Sequence, residues 1–430
     1  MFRSFGLPLL LLIAVQAASA LTLEEAIVMG KGRSLRMEAP RIEHLRTSGQ
    51  IREAWSNALP QIEGLAAYQH YWKPAKVFFD GMPIELQQDN NALAEATLTQ
   101  PLYTFGRVAS GLRAAYAARR AHVFMEQNTG RSLELEIIRR YGSVLLMRDV
   151  VQARRQSLSI SDSNLVRVQR MRDVGLMSDY DVLRVRVQAS NQIPQVKQAE
   201  NDFRLAELSL LELLGVPMDT TLKLEGALES YAAQLVVDTA SVDYTQRDDL
   251  QALRQLTHLY KNVYVVMRNA DLPVLAGQVK YAWQWTNDEW THDPTNSFSS
   301  LYGGLSLSVP IWTSGKNIGR GQQARADWRR AELDLAEAER GARLQLESAV
   351  RSYESAQAAE TAARLAVEQA EEARRIAQTK LAQGQLTPLE MDAAQLDELV
   401  ARVSLAQAAY SRLVAAAETR AALGLSPYAD

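Results

Sequence analysis

Apolar and polar residues alternate with a period of two in four short stretches of the chain. These stretches are residues 61–72, 93–103, 274–285 and 301–311. A period of two places successive side chains on opposite faces of a β-strand. The pattern therefore predicts four strands, each with one apolar face. They form two pairs, and the polar, loop-like residues 73–91 and 286–300 separate the members of each pair.

A seven-residue period replaces the alternation after each strand pair, in residues 107–174 and 316–383. The clearest series lies in the second stretch: Trp328, Leu335, Ala342, Ala349, Ala356, Ala363, Ala370 and Ala377. Neither stretch contains proline, and a helix of this size is roughly 100 Å long at about 1.5 Å per residue. A strict seven-residue repeat on an α-helix imposes left-handed supercoiling. Both stretches are therefore predicted to be long coiled-coil helices.

Shorter helices are predicted on both sides of these elements. Residues 178–214 and 387–423 form return helices, and Pro194 is expected to kink the first of them. Residues 22–57 and 248–270 form the helices before the strand pairs. The first of these is expected to be interrupted around Gly30, Gly32 and Pro40. One leading helix and one return helix together match a long helix in length, so the two can stack end to end beside it.

The two halves of the chain repeat each other. Gln-Pro-Leu-Tyr-Thr-Phe-Gly-Arg at 100–107 corresponds to Val-Pro-Ile-Trp-Thr-Ser-Gly-Lys at 309–316. The same offset separates Gly175 from Gly384 and Gly215 from Gly424. An internal duplication follows, with repeats predicted at 21–217 and 218–430. At the strand-to-helix junctions, Pro101, Gly106, Pro310 and Gly315 are predicted to form a swivel between barrel and helices, or, alternatively, to be ordinary helix-start signals.

The N-terminus has the features of a secretory signal peptide, predicted at residues 1–20. Arg3 supplies positive charge, residues 7–15 supply a short apolar run, and Ala18-Ser19-Ala20 forms a small-residue cleavage site. The apolar run is too short for a spanning helix, although a retained anchor is the alternative. The chain contains no cysteine, which excludes disulfides, thiolate metal sites and a lipid-modified N-terminal cysteine. Its formal net charge of −3 argues against nucleic-acid binding.

Four strands cannot close a barrel, because the smallest spanning barrels have about eight. Each predicted strand is long enough for one tilted bilayer crossing, and an open strand edge is not tolerated in lipid. Closure therefore requires two or three protomers. Aromatic residues suited to the membrane interface lie on the strands: Tyr68, Trp72, Tyr281, Trp283 and Trp285. A soluble sheet with a buried aromatic face, or a plain coiled-coil protein, is the alternative.

No catalytic or cofactor-binding arrangement stands out, so the chain is not predicted to be an enzyme. Ser314-Gly315-Lys316 lacks the glycine spacing of a phosphate-binding loop. The five histidines are scattered at 44, 70, 122, 258 and 292, and none pairs at a metal-ligand spacing in the sequence. Neither a cofactor nor a metal site is predicted.

Over nearly its whole mature length the chain resembles the TolC family of outer-membrane efflux proteins. The matching segments are residues 21–26, 59–61, 100–107, 174–182 and 214–215, with their counterparts in the second half. The resemblance implies a mixed α and β membrane protein. In it, a long α-helical coiled-coil barrel is continuous with a transmembrane β-barrel built from four strands per protomer.

The resemblance also implies a function and partners. The protein would be a homotrimer in the outer membrane of a Gram-negative bacterium, in contact with outer-membrane lipid and extending into the periplasm. It would act as a passive exit duct in a tripartite efflux or type I secretion system, docking to a periplasmic adaptor and an inner-membrane pump. The alternative is that the chain is itself a periplasmic adaptor with a helical hairpin.

The two turns between the long and return helices would form the periplasmic tip. The family resemblance assigns adaptor contact to Gly175, Leu176, Ser178, Gly384, Leu386 and Thr387, and Gln385 departs from the family pattern. Asp181 and Glu390 are the candidates for a pore constriction. Both also fit a capping box, Ser178-x-x-Asp181 and Thr387-x-x-Glu390, so a purely capping role is the alternative.

Overall fold

The computed structural model describes residues 20–85, 88–235, 237, 244–289 and 296–428. The predicted signal peptide therefore lies outside the described residues, apart from Ala20. The chain divides into two compact units, each assembled from both halves of the sequence. The strand unit comprises Pro40–Met125 and Asp248–Glu339, and the helical unit comprises Met1–Ala39, Glu126–Arg247 and Arg340–Asp430. The repeat boundaries 21–217 and 218–430 stay a prediction.

The described elements follow one another in the order that the periodicities predict, with three additions. The helices are α1 Leu23–Arg33, α2 Leu35–Ser56, α3 Arg107–Asp173, α4 Asp179–Leu214, α5 Leu228–Gln234, α6 Asp248–Arg268, α7 Lys316–Ala382 and α8 Pro388–Ala422. The strands are β1 Gln61–His70, β2 Lys76–Phe79, β3 Met82–Glu85, β4 Asn90–Tyr103, β5 Val274–Asn287 and β6 Ser297–Ser308. Both long helices, α3 and α7, contain 67 residues. The additions are α5 and the β2–β3 hairpin.

The four predicted strands form one antiparallel sheet in the order β1-β4-β5-β6. Its central pair, β4 with β5, joins the two halves of the sequence. Glu95 and Lys280 lie on the predicted polar face and form an ion pair of 2.5 Å across that central pair. Among the described strands, β1 and β6 each have one edge without a neighbour.

The β2–β3 hairpin lies inside residues 73–91, which the sequence pattern assigned to a loop. Phe79 pairs with Met82, and the two residues between them, Asp80 and Gly81, both have positive φ (51° and 84°). Two central residues of this kind define the tight turn that Asp-Gly favours in hairpins. The loop assignment was wrong here because the flanking strands are only four residues long.

The core of the helical unit surrounds Tyr141 of α3, which is fully buried. The Tyr141 hydroxyl donates to the carbonyl oxygens of Leu21 (2.9 Å) and Glu225 (2.7 Å). Leu21 also forms a parallel bridge with Leu224. The first residues of the predicted mature chain are thereby tied to the segment between the two halves.

Helix interruptions occur at other positions than predicted. The first helix breaks at Ser34, which has an extended conformation (φ −66°, ψ 130°), whereas Gly30, Gly32 and Pro40 lie within helices. Pro194 lies inside α4, and the kink expected there stays a prediction. Within the described residues, no helix has the length and apolar character that are needed to cross a bilayer.

Candidate functional site

Two turns of nearly the same geometry join the long helices to the return helices; we call residues 175–178 and 384–387 the tip turns. Gly175 (φ 80°) and Gly384 (φ 69°) adopt the left-handed conformation. Leu176 N–H donates to the Met171 carbonyl (2.8 Å), and Gln385 N–H donates to the Lys380 carbonyl (2.9 Å). This is the glycine-terminated helix end in which an amide bonds to the carbonyl five positions earlier in the chain. Gln385, the departure from the family pattern, does not alter it.

Each tip turn then begins its return helix with a complete capping box. The Ser178 amide donates to Asp181 Oδ2 (3.1 Å), and the Asp181 amide donates back to Ser178 Oγ (3.2 Å). The second turn repeats these bonds: the Thr387 amide donates to Glu390 Oε2 (2.9 Å), and the Glu390 amide donates to Thr387 Oγ1 (3.3 Å). Both acids therefore satisfy orphan amides at a helix start.

The same hydrogen bonds keep both acids ionised. The Ser178 hydroxyl and amide lower the pKa of Asp181 below its ordinary value. The Thr387 amide and hydroxyl do the same for the pKa of Glu390. Glu390 is exposed and Asp181 is half-buried. Capping thus accounts for their geometry, and it leaves two full negative charges beside the tip turns.

Apolar packing at the tip turns is thin. One small cluster contains Val168, Val182 and Val185, and another contains Ala377, Leu381 and Met391. Met177 packs against both clusters, and Leu386 packs against the second. Leu176 instead projects into solvent, with 68% of its surface exposed.

A buried polar cluster around Gln395, five residues beyond Glu390, joins α8 to α3. The Gln395 amide nitrogen donates to the Ser157 carbonyl (2.6 Å) and to Ser161 Oγ (2.8 Å). Asn164 donates to Gln395 Oε1 (3.4 Å), and Gln192 of α4 donates to Ser161 Oγ (2.7 Å). A buried amide inside an apolar seam fixes the register of the helices that share it.

Buried glutamates join α7 to α8. Glu398 of α8 accepts from Arg374 of α7 and from Arg402 (2.9 Å). Glu360 of α7 accepts from Arg364 (2.8 Å) and from Arg412 of α8 (2.8 Å). Each buried carboxylate therefore has two guanidinium partners, which offset the cost of removing it from water.

The strand-to-helix junctions share a tight turn, of which only the glycine was predicted from the sequence. Phe105 and Gly106 have φ of 49° and 80°, and Ser314 and Gly315 have φ of 51° and 78°. In each turn a long-helix amide closes the loop: Arg107 donates to the Thr104 carbonyl (3.1 Å), and Lys316 to Thr313 (3.0 Å). Two successive residues with positive φ define a type I′ turn.

The prolines of the two junctions differ in their surroundings. Pro101 lies within β4, where the pairing with β5 shifts register between Pro101 and Tyr103. Pro310 lies just beyond β6, which ends at Ser308. Pro101 is still in register with Ala276 of β5 but lies beyond the last residue that pairs with β1, Thr99, and Pro310 lies outside the sheet. The swivel role of these four residues stays a prediction.

Two histidines meet in space although they are distant in sequence. The rings of His44 and His122 lie 5.1 Å apart, and His122 Nε2 donates to the Pro40 carbonyl (2.9 Å). Among the described residues no group of three or more His, Cys, Asp or Glu side chains could hold a metal ion. His292 lies outside the described residues.

The buried polar groups of α7 and α8 were not predicted from the sequence. Glu360 follows Tyr353 by seven positions on a second buried line of α7, so the heptad period carried a signal for it. Gln395, Glu398 and Asp392 gave no comparable signal, because their positions lie outside the seven-residue apolar series of α8.

Comparison with known proteins agrees with this architecture. The sequence profile described as "Outer membrane efflux protein" matches residues 29–216 and again residues 244–425. Two successive matches are what an internal duplication produces. No curated protein sequence matches the chain.

Solved structures share the fold at low sequence identity. The outer membrane protein VceC from Vibrio cholerae superimposes with a TM-score of 0.79 at 16% identity, over 94% of this chain and 96% of that one. The CmeC outer membrane channel of Campylobacter jejuni gives 0.77 at 14% identity, over 95% and 87%. The open-state MtrE channel of Neisseria gonorrhoeae gives 0.75 at 16% identity, over 95% and 90%.

Together these observations define the class of protein: a transport channel that combines a β-barrel with a helical barrel, rather than an enzyme. The profile matches cover most of the sequence, and the chain belongs to the outer membrane efflux protein family. It is an exit duct of an efflux system, located in the outer membrane and extending into the periplasm. The alternative of a periplasmic adaptor has no support.

Proposed function

We propose that three copies of this chain form a passive duct that receives substrates from an inner-membrane pump through a periplasmic adaptor. The observation that carries a barrel shared between copies is the sheet β1-β4-β5-β6, whose β1 and β6 edges have no described neighbour. Open edges allow two or three copies, and three is the number that the family resemblance implies. Pairing β1 of one copy with β6 of the next would close a barrel of twelve strands and leave no edge facing lipid.

The assembly is tested by the mass of the detergent-purified protein. We expect a stable trimer that forms discrete conducting channels in a planar lipid bilayer. A folded species that remains monomeric would contradict the shared barrel and with it the duct.

The tip turns are proposed as the adaptor contact. Leu176 supports this because it leaves its side chain in water although the neighbouring Met177 is packed. Such an exposed apolar side chain, held on a rigid turn by Gly175, suits a protein–protein contact. Together with Ser178, Gly384, Leu386 and Thr387, it would present the adaptor with two similar surfaces per protomer.

A substitution at the tip separates docking from assembly. Leu176→Asp should abolish substrate resistance in cells that depend on the duct and leave the yield of trimer unchanged. Leu344→Asp is the matched control for the added charge, because it changes a leucine of α7 with a similar exposed fraction (71%). Equal resistance in wild type and Leu176→Asp would remove the first tip turn from the adaptor contact.

The two acids are proposed to line the constriction. In a trimer, three copies of Asp181 and three of Glu390 would lie near one axis. The hydrogen bonds of the capping boxes lower the pKa of both acids and so favour their ionised form, against the mutual repulsion of the ring. A ring of negative charge in a narrow opening favours cations.

A further inference from the structure

Asp392 is a buried carboxyl near the start of α8, between the capping acid Glu390 and the register-fixing Gln395. Only 6% of its surface is exposed. Its Oδ2 atom has no hydrogen-bond partner among the described residues. An unpartnered carboxylate oxygen in such a place is costly when it carries charge. Glu398 and Glu360, by contrast, each have two arginine partners.

The charged groups around Asp392 do not compensate for its burial. On α4, Arg184 is the charged side chain whose field acts on it. On α3, Arg167 follows Asn164, the partner of Gln395, by three positions, and its Nη1 atom is also buried without a hydrogen-bond partner among the described residues. On α7 the charged side chain near this level is Lys380, and its positive charge lowers the pKa of Glu390. On α8, the acid nearest to Asp392 in sequence is Glu390.

Burial outweighs the attraction of Arg184. Loss of water raises the pKa of Asp392 from 3.8 to about 6, and the Arg184 guanidinium lowers it by less. A carboxyl whose pKa is raised stabilises the packed state while it is protonated. This stabilisation is fully present below the ordinary pKa of aspartate. That contribution disappears as the pH rises through about 6, because the packed state must then hold an unsolvated charge.

We propose that Asp392 is a proton-controlled fastener of the tip: when protonated it holds the first turns of α8 against α3 and α4, and when ionised it releases them. The proposal extends the proposed function, since the released segment carries the Glu390 constriction. The apolar packing that opposes release is small, because the Met391 cluster joins α8 to α7 and meets the α3–α4 turn through Met177. Release at neutral pH would widen the opening, and protonation of Asp392 in acid would narrow it.

Hydrogen exchange of residues 388–400 tests the fastener in the purified full-length protein. Rates measured between pH 5 and pH 8 are corrected for the intrinsic pH dependence of amide exchange. The opening equilibrium of wild type should rise by about tenfold across this range, as part of about a hundredfold change over the full titration from below pH 3.8, because about two pH units separate the packed and the ordinary pKa. Asp392→Asn should remove the rise and stay protected at pH 8.

Asp397→Asn is the matched control, because Asp397 lies on the same helix and is exposed. It should follow wild type at every pH. A flat wild-type profile, or the same rise in Asp392→Asn, would overturn the proposal. The wild-type profile decides by itself if Asp392→Asn is not produced as folded protein.

Conductance in planar bilayers tests the consequence for the channel. Wild-type conductance should increase from pH 5 to pH 8, and that of Asp392→Asn should remain at its acid level. Exchange that responds to pH without any change in conductance would overturn the gating role. Complete absence of conducting channels in wild type would instead refute the duct, and the exchange result would still judge the fastener.

Discussion

Replacement of Gly315 by alanine should destabilise the protein through the backbone alone. Gly315 has φ of 78°, and a Cβ atom added there would meet nothing within 4 Å in the chain. The cost is therefore conformational and not steric contact with neighbours. A non-glycine residue in the left-handed region costs about 1–2 kcal/mol.

Gly321 provides a control with the same chemical change and the opposite sign. It lies six positions further along, inside α7, and an added Cβ would again meet nothing within 4 Å. Alanine is better than glycine in a helix interior by about 1 kcal/mol. The free energies of unfolding of Gly315→Ala and Gly321→Ala should thus differ by about 2–3 kcal/mol per protomer.

Denaturant unfolding of the purified protein, followed by circular dichroism at fixed protein concentration, measures this difference. Ser314→Gly supplies a second check, because Ser314 also has positive φ (51°) and glycine should relieve that strain. If Gly315→Ala is as stable as Gly321→Ala, the junction tolerates other backbone conformations. That result would refute a single fixed type I′ turn at this junction.

Three further substitutions test the site and the core. Glu390→Gln should remove cation preference in bilayer recordings with little change in thermal midpoint, since glutamine retains an oxygen for the Thr387 amide; unchanged selectivity with lower stability would make the acid a cap only. Wild-type selectivity should persist below pH 4.5, the ordinary glutamate value, because the pKa of Glu390 is lowered. Tyr141→Phe should cost about 1 kcal/mol of unfolding free energy through the lost hydroxyl hydrogen bonds, because the Leu21 carbonyl keeps the Glu225 amide as a donor and the Glu225 carbonyl keeps the Tyr231 hydroxyl. The exposed Tyr180→Phe should cost almost nothing. Glu398→Gln should cost about 3 kcal/mol because Arg374 loses a buried charge partner, and an equal effect of the exposed Glu368→Gln would contradict that account.

Periodicity predicted the long elements closely because those elements bury one face over many residues. The predicted helix 107–174 is α3 Arg107–Asp173, and the predicted helix 316–383 is α7 Lys316–Ala382. Strand ends were less well placed: residues 301–311 were predicted where β6 Ser297–Ser308 lies. Half-exposed strands provide no sharp boundary in hydrophobicity, so the pairing with β5 decides where β6 begins and ends.

The tip turns were predictable to the level of individual hydrogen bonds. A glycine that ends a helix and a Ser/Thr-x-x-acid pattern are local signals, and each depends on residues within one or two turns. Asp392 and Gln395 were not predictable in this way. Their burial depends on which face of α8 meets α3, and that is settled by packing between segments far apart in sequence.

The distribution of these polar groups indicates how the tip can change shape. Within the α7–α8 hairpin the links are ion pairs of buried carboxylates with arginine, at Glu398 and Glu360. Between α8 and α3 the link is the neutral amide of Gln395, with Asp392 beside it. Separation of a buried ion pair leaves an uncompensated charge, whereas an amide can exchange its partners for water at a cost of about 1–3 kcal/mol. From Glu398 onward α7 and α8 should therefore stay together, and the turns of α8 before Glu398, which meet α3 through Gln395, are the segment that yields. Loss of a proton from Asp392 weakens the contact of that same segment.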